Sequence, residues 1–312
     1  MQATEMRPRA PFDFGATARF FRFTEAEIVD HFDAGTYARA LHVNDKLRLL
    51  AVKSEGTRSR PRLSVALSTP CPPPGGGARD ESADAERIAG RMFSVDHDLG
   101  KFRERVAGDP LMARLEAAHR GLRLPRWPTL FEALANSILL QQIATPVAWT
   151  FRRRLVERFG ETLAVGGREF YAFPLPASLA PSRPEELRTL GLTGAKSRAL
   201  VELARAVDSG ALDGEALARE DDEAIISRLT QLRGVGRWTA EWVLMLHFGR
   251  ADVYAAADLF LRGAVAKYYN GGRAMSEREV GEFARARWAG WRSYAALYLL
   301  AGMRAGSVTL RP

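Results

Sequence analysis

The sequence predicts an α+β protein, with a small N-terminal antiparallel β-sheet domain packed on a larger all-α bundle. Three observations carry that expectation. Apolar residues alternate at Leu47, Leu49 and Ala51, and again at Leu63, Val65 and Leu67, which is the period of half-buried strands. The run PCPPPGGGAR, from Pro70 to Arg79, suits neither helix nor strand and reads as a surface loop or linker. From Ser82 onward helical periodicity continues almost unbroken, punctuated by proline and glycine. The domains are therefore expected at residues 1–80 and 81–312.

Within the first unit, Asn44-Asp45 has the chemistry of a hairpin turn, joining Ala38–Val43 to the first alternating run. In the second unit, helices are expected over Ala83–Met92, Asp98–Ala107, Leu111–His119 and Thr129–Phe159, the last with a break near Pro146. More follow over Pro184–Leu190, Ala195–Asp208, Asp221–Leu232, Trp238–Phe248, Asp258–Tyr269, Ser276–Trp288 and Trp291–Ala305. No internal repeat is visible.

Composition narrows the partners. Lys and Arg number 45 against 37 Asp and Glu, a formal charge of +8. Twelve of the basic residues against six acids lie from Leu232 onward, so the excess is concentrated in the last quarter. A polyanion, nucleic acid first, is the expected partner. Cys71 is the only cysteine, which excludes an internal disulfide, a Cys-rich zinc site and a four-cysteine cluster. The opening MQATEMRPRA has no apolar signal core, and no stretch is long enough to span a bilayer. A soluble, cytoplasmic protein is expected, without a membrane partner.

The strongest local signal is LRGVGRWTA, Leu232 to Ala240, inside a helix–turn–helix over residues 222–248. Gly234 and Gly236 allow a tight turn and keep side chains off the backbone. The N–H groups opening the second helix then face outward and suit a phosphate. A bare G-x-G would read first as an ordinary αα-hairpin whose glycines serve only the turn.

Leu232-x-Gly234-Val235-Gly236-x-Trp238-Thr239-Ala240 followed by Asp258 resembles the helix-hairpin-helix DNA glycosylases with a downstream catalytic Asp, above all 3-methyladenine DNA glycosylase II, the AlkA type. Trp291-Arg292-Ser293-Tyr294-Ala295-Ala296 resembles a second block of that family, and Phe131-Glu132 through Gln141-Gln142-Ile143 a third. Pro11–Phe14 and Tyr37–Leu41 resemble its small β domain. The resemblance implies a monofunctional glycosylase that excises alkylated purines from duplex DNA, works as a monomer and needs no cofactor. It also implies a possible monovalent cation on hairpin carbonyls, with no metal held by side chains.

Breaking an N-glycosidic bond develops positive charge on the sugar, which a fixed carboxylate stabilises. The resemblance gives that role to Asp258; on position alone Asp258 is an N-cap. Three departures from the family stand beside it: Ala256 and Ala257 stand where the family usually has a Pro and often an acidic neighbour, and Gly290 where it often has a Pro. These imply a looser loop. Asp252, the other nearby acid, is expected to be structural. Lyase relatives carry a Lys where Trp238 stands here, so no strand cleavage is expected.

Trp238, Trp242 and Trp288 are expected to line a base pocket, with Phe20 reaching in from the N-terminal unit. Cationic purines are attracted to such rings. Each Trp taken singly is also a plausible core residue. Trp127, Trp149 and Trp291 are assigned to core or surface. Gln141, Gln142 and Ile143 are candidates for the side chain that fills the gap left by a flipped base; the plain alternative is a buried helix with two polar residues. Gly234, Val235, Gly236, Arg237 and Thr239 are the expected hairpin contacts to DNA. Arg233, Arg262, Lys196 and Arg292 are candidates for the phosphate backbone. The lesion stays open, with uracil, hypoxanthine or an oxidised purine as alternatives, and so does a non-catalytic lesion-binding role.

Overall fold

The computed structural model describes residues 3–22, 24, 27–68 and 81–310. The expected loop from Pro70 to Arg79, with Cys71, lies outside the described residues.

The N-terminal part contains β1 (Thr4–Met6), α1 (Phe14–Arg19), β2 (His31–Asp33), β3 (Thr36–Val43), β4 (Lys46–Ser54) and β5 (Leu63–Ser68). The strands form one antiparallel sheet in the order β1-β5-β4-β3-β2. β3 and β4 meet at Asn44-Asp45, whose φ values of +48° and +58° are those of a tight hairpin turn. The alternating residues thus sit on a sheet with a buried face.

Helices dominate the rest. They are α2 (Ser82–Met92), α3 (Leu99–Val106), α4 (Pro110–Ala118), α5 (Leu130–Leu140) and α6 (Thr145–Phe159). After a hairpin of β6 (Thr162–Val165) and β7 (Arg168–Tyr171) come α7 (Pro176–Leu179), α8 (Pro184–Arg188), α9 (Gly194–Asp208), α10 (Gly214–Leu217) and α11 (Asp222–Leu229). The last are α12 (Arg237–Val243), α13 (Leu259–Tyr269), α14 (Glu277–Trp288) and α15 (Arg292–Arg304). Among the described residues no helix is long and apolar enough to cross a membrane.

The break expected near Pro146 separates two helices at Gln141–Ala144, and two further features depart from the sequence reading. Gln142 has φ +57°, and Pro146, which lacks an N–H, sits in the first turn of α6. The β6–β7 hairpin turns on Gly166-Gly167, both at positive φ, and a bridge from Ala40 to Ala172 brings it beside β3. The helix expected to reach Phe248 stays α-helical only to Val243. It then widens into a π-helical segment, Leu244–Phe248, that ends on left-handed Gly249.

The two parts share one core. Phe93, just after α2, packs its ring 4.9 Å from Phe14 and 5.2 Å from Tyr37. A buried ionic cluster fastens sheet to helices. Arg39 on β3 bonds Asp30 at 3.0 Å and Glu132 of α5 at 2.8 Å. Arg152 on α6 reaches Glu27, Asp30 and Glu132, and the Trp149 indole N–H donates to Glu27. All five charged side chains are at most 2% exposed. Such groups persist away from water only when paired and hydrogen-bonded.

Candidate active site

The hairpin joins α11 to α12. Gly234 has φ +76°, and a Cβ there would lie 2.9 Å from the Cβ of Ala199, so only glycine fits without a shift. Gly236 differs from the sequence reading: its φ is −95° and nothing lies within 4 Å of a Cβ position. Its lack of a side chain leaves the N-terminal end of α12 bare. Val235 between them is buried and anchors the turn in the core.

Asp258 caps α13. Its Oδ1 accepts from the backbone N–H groups of Phe260 and Leu261, both at 3.0 Å, and its Oδ2 accepts from the Trp238 indole at 3.1 Å. The carboxylate is therefore both an N-cap and a wall of a cavity. The preceding loop is closed by backbone bonds from Ala256 to Tyr254 and from Asp258 to Ala255.

The cavity has a volume of about 330 Å³ and is lined mainly by apolar and aromatic side chains. Trp238 and Trp242 stand edge to face with centroids 6.3 Å apart. Phe20, Trp127, Ile143, Phe260, Leu297 and Leu300 complete much of the wall. Arg304 closes one side, its guanidinium carbon 3.9 Å from the Phe20 ring centroid. Burial pushes that guanidinium down to about 10. The indole N–H of Trp242 is buried and has no acceptor among the described residues. One carboxylate thus faces an aromatic cavity beside a glycine hairpin, and such a cavity suits a base turned out of the DNA stack.

Comparison with known proteins agrees. Residues 135–289 match the HhH-GPD superfamily of base excision DNA repair proteins, and residues 3–128 match the AlkA N-terminal domain. DNA-3-methyladenine glycosylase 2 of Escherichia coli is 31% identical over 93% of both chains. The chain belongs to the AlkA-type DNA glycosylase family.

Solved structures of the family superpose accordingly. The 3-methyladenine DNA glycosylase of Archaeoglobus fulgidus has a TM-score of 0.84 at 26% identity, covering 98% of this chain and all of that one. A Schizosaccharomyces pombe 3-methyladenine glycosylase bound to abasic DNA gives 0.57 at 25% identity, over 67% of this chain and 99% of its own. DNA is thus the partner of this AlkA-type protein, and N-glycosyl bond cleavage its reaction class.

Several residues stand elsewhere than the sequence placed them. Trp288 is no part of the cavity: it is fully buried among Tyr254, Tyr269 and Phe283, and donates to Asp109 at 3.2 Å. Trp127, assigned to core or surface, is buried in the core and also lines the cavity. Thr239 is buried, and its Oγ1 accepts from Gln141, so its side chain faces no DNA.

The basic candidates are mostly engaged. Arg237 pairs with Glu223 and Glu241, Arg233 with Glu202, and Arg292 with Asp252. That last pair gives Asp252 its structural role. Lys196 donates to the carbonyls of Leu139 and Gln141. Arg262 is partly buried, and its backbone N–H donates to the Asp258 carbonyl in the first turn of α13. Two hairpin carbonyls already have donors, Leu232 from the Val235 N–H and Gly234 from Gln141. Among the described residues no cluster of three or more His, Cys, Asp or Glu could hold a metal.

Arg304, Leu300 and Leu297 are wall residues that sequence reasoning missed. The only available signal was their position about one, two and three turns beyond Tyr294 on the last helix.

Proposed function

We propose that this protein is a monofunctional glycosylase that flips an alkylated purine nucleotide out of duplex DNA and hydrolyses its N-glycosidic bond, with Asp258 as the catalytic carboxylate. The observation that carries this reading is Asp258 itself, which faces the cavity with one oxygen on two backbone N–H groups and the other on Trp238. Positive charge grows on the sugar as the base departs, and a fixed carboxylate stabilises it without reorganising. Water then adds at the anomeric carbon. The leaving purine rests against the rings of Trp238 and Trp242.

The hairpin N–H groups hold a backbone phosphate, and the turn of Gln142 and Ile143 enters the stack where the base has left. None of the described residues lining the cavity is a lysine, and Trp238 stands where lyase relatives carry one. An abasic site is therefore the product, without strand cleavage.

The test is base release from a short duplex carrying alkylated purines, wild type beside Asp258→Asn, scored with and without alkali. Release by wild type alone, with nicks only after alkali, is expected. The variant should fall by about a hundred- to a thousandfold. Excision by the variant at the wild-type rate refutes the role of Asp258, and a borohydride-trapped covalent complex refutes the monofunctional reading. Tight lesion binding without release by either protein would instead establish a recognition module.

A second reading keeps the enzyme and changes the lesion. The Arg304 guanidinium already occupies the Phe20 face, and the Trp242 N–H is an unused donor. Both favour a neutral base with a carbonyl, such as hypoxanthine or an oxidised purine, over a cation. Rates on 3-methyladenine and hypoxanthine duplexes, measured side by side, separate the two.

A further inference from the structure

The turn between α5 and α6 is held from two sides. On one side, the Lys196 ammonium of α9 donates to the carbonyls of Leu139 and Gln141 at 2.7 and 2.8 Å, closing the C-terminal end of α5. On the other, the Gln141 side-chain amide donates to the carbonyl of Gly234 at 2.7 Å and to Oγ1 of Thr239 at 2.9 Å. A carbonyl oxygen can only accept, so the nitrogen of Gln141 must face the hairpin. Both of its hydrogens are used, one at the hairpin turn and one at the first turn of α12. Gln142 follows, exposed at φ +57°, and then Ile143 at the cavity wall.

We propose that Gln141 is a strut through which the hairpin's hold on the DNA backbone fixes the position of the Gln142–Ile143 turn, making it a positioning residue for base extrusion. The inference rests on the reading that this turn enters the duplex. Gly234 and Thr239 flank the bare N-terminal end of α12, so a phosphate seated there and the inserted turn share one rigid support. Without the amide, Lys196 still closes α5 and the fold persists. What is lost is the registration of the turn against the hairpin.

The experiment compares single-turnover excision of one lesion paired in duplex with the same lesion opposite an abasic site, where no stacked partner resists extrusion. A 2-aminopurine beside the lesion reports unstacking independently of chemistry. In Gln141→Ala, the ratio of paired to unpaired excision is expected to fall about tenfold, the scale of two neutral hydrogen bonds. The 2-aminopurine signal should fall with it.

Gln141→Glu, which cannot donate, should match the alanine variant. Thr239→Val should give a smaller loss, and adding it to Gln141→Ala should cost nothing further. An equal loss on both substrates, or additive losses in the double variant, overturns the strut. If Ile143→Ala leaves the ratio and the 2-aminopurine signal at wild-type levels, the insertion reading fails first.

Discussion

Asp258 and the Glu27–Asp30–Glu132 cluster are both carboxylates withdrawn from bulk water, yet their partners differ in kind. The cluster is sealed and faces two guanidinium groups, Arg39 and Arg152. Asp258 is half-buried and meets only neutral N–H donors, with one side open to a cavity. A carboxylate already matched to a cation has little left to give another. One held by neutral dipoles is fixed in place with its charge uncompensated, and can answer the positive charge that forms on a sugar. The same functional group is a fastener in one place and, in the proposed function, a reagent in the other.

The contrast can be broken or sharpened in a graded way. Asp258→Asn should have the largest effect on catalysis and a small one on stability, with a melting temperature near that of wild type. Arg152→Met should do the reverse, because it strands buried carboxylates: a loss of about 3–5 kcal/mol, read as a melting temperature lower by roughly 10 °C. Near-normal excision per folded molecule should remain; a catalytic collapse in a folded Arg152 variant would erase the distinction.

Trp238→Phe keeps an aromatic wall but removes the donor to Oδ2. A drop of about tenfold in the excision rate is expected, the scale of one hydrogen bond to a charged group. The smallest effect concerns pH. Burial pushes the Asp30 carboxyl up to about 6, opposed first by Arg39 and reinforced by Glu27. An acid whose native value is raised contributes stability below its unfolded value, and loses it as pH rises through the native one. Asp30→Asn lacks that dependence, so its stability relative to wild type should improve between about pH 4 and 6 in denaturant titrations. A constant difference would show that Arg39 and Arg152 keep Asp30 ionised throughout.

Most of this architecture could be read from the residues because it is local. The glycine hairpin, the cap at Asp258 and the alternating strands each depend on neighbours a few positions away. Trp288 shows the limit. It lies on the helix where a pocket residue was sought, but whether an indole meets a cavity or a core depends on Phe283 of its own helix and on Tyr254 and Tyr269, which come from two other segments. The ionic cluster was hidden for the same reason, since Arg39 and Glu132 are 93 residues apart. The β6–β7 hairpin was within reach: Gly166-Gly167 between two short apolar-alternating runs is a turn signal.

Phe20 is supplied by the N-terminal part, while Trp238 and Asp258 come from the helical part, and the sealed charges between the two parts oppose any hinge there. The aperture is therefore a gauge of fixed bore, set before DNA arrives. Under the proposed function, each nucleotide would be tried against it rather than gripped by closing jaws. Selection then falls on how readily a base leaves its stack and whether it fits, so poorly paired bases are sampled most often. Fidelity in such a machine is a matter of tolerance, in the machinist's sense, and a core mutation far from the sugar can alter it by shifting one wall.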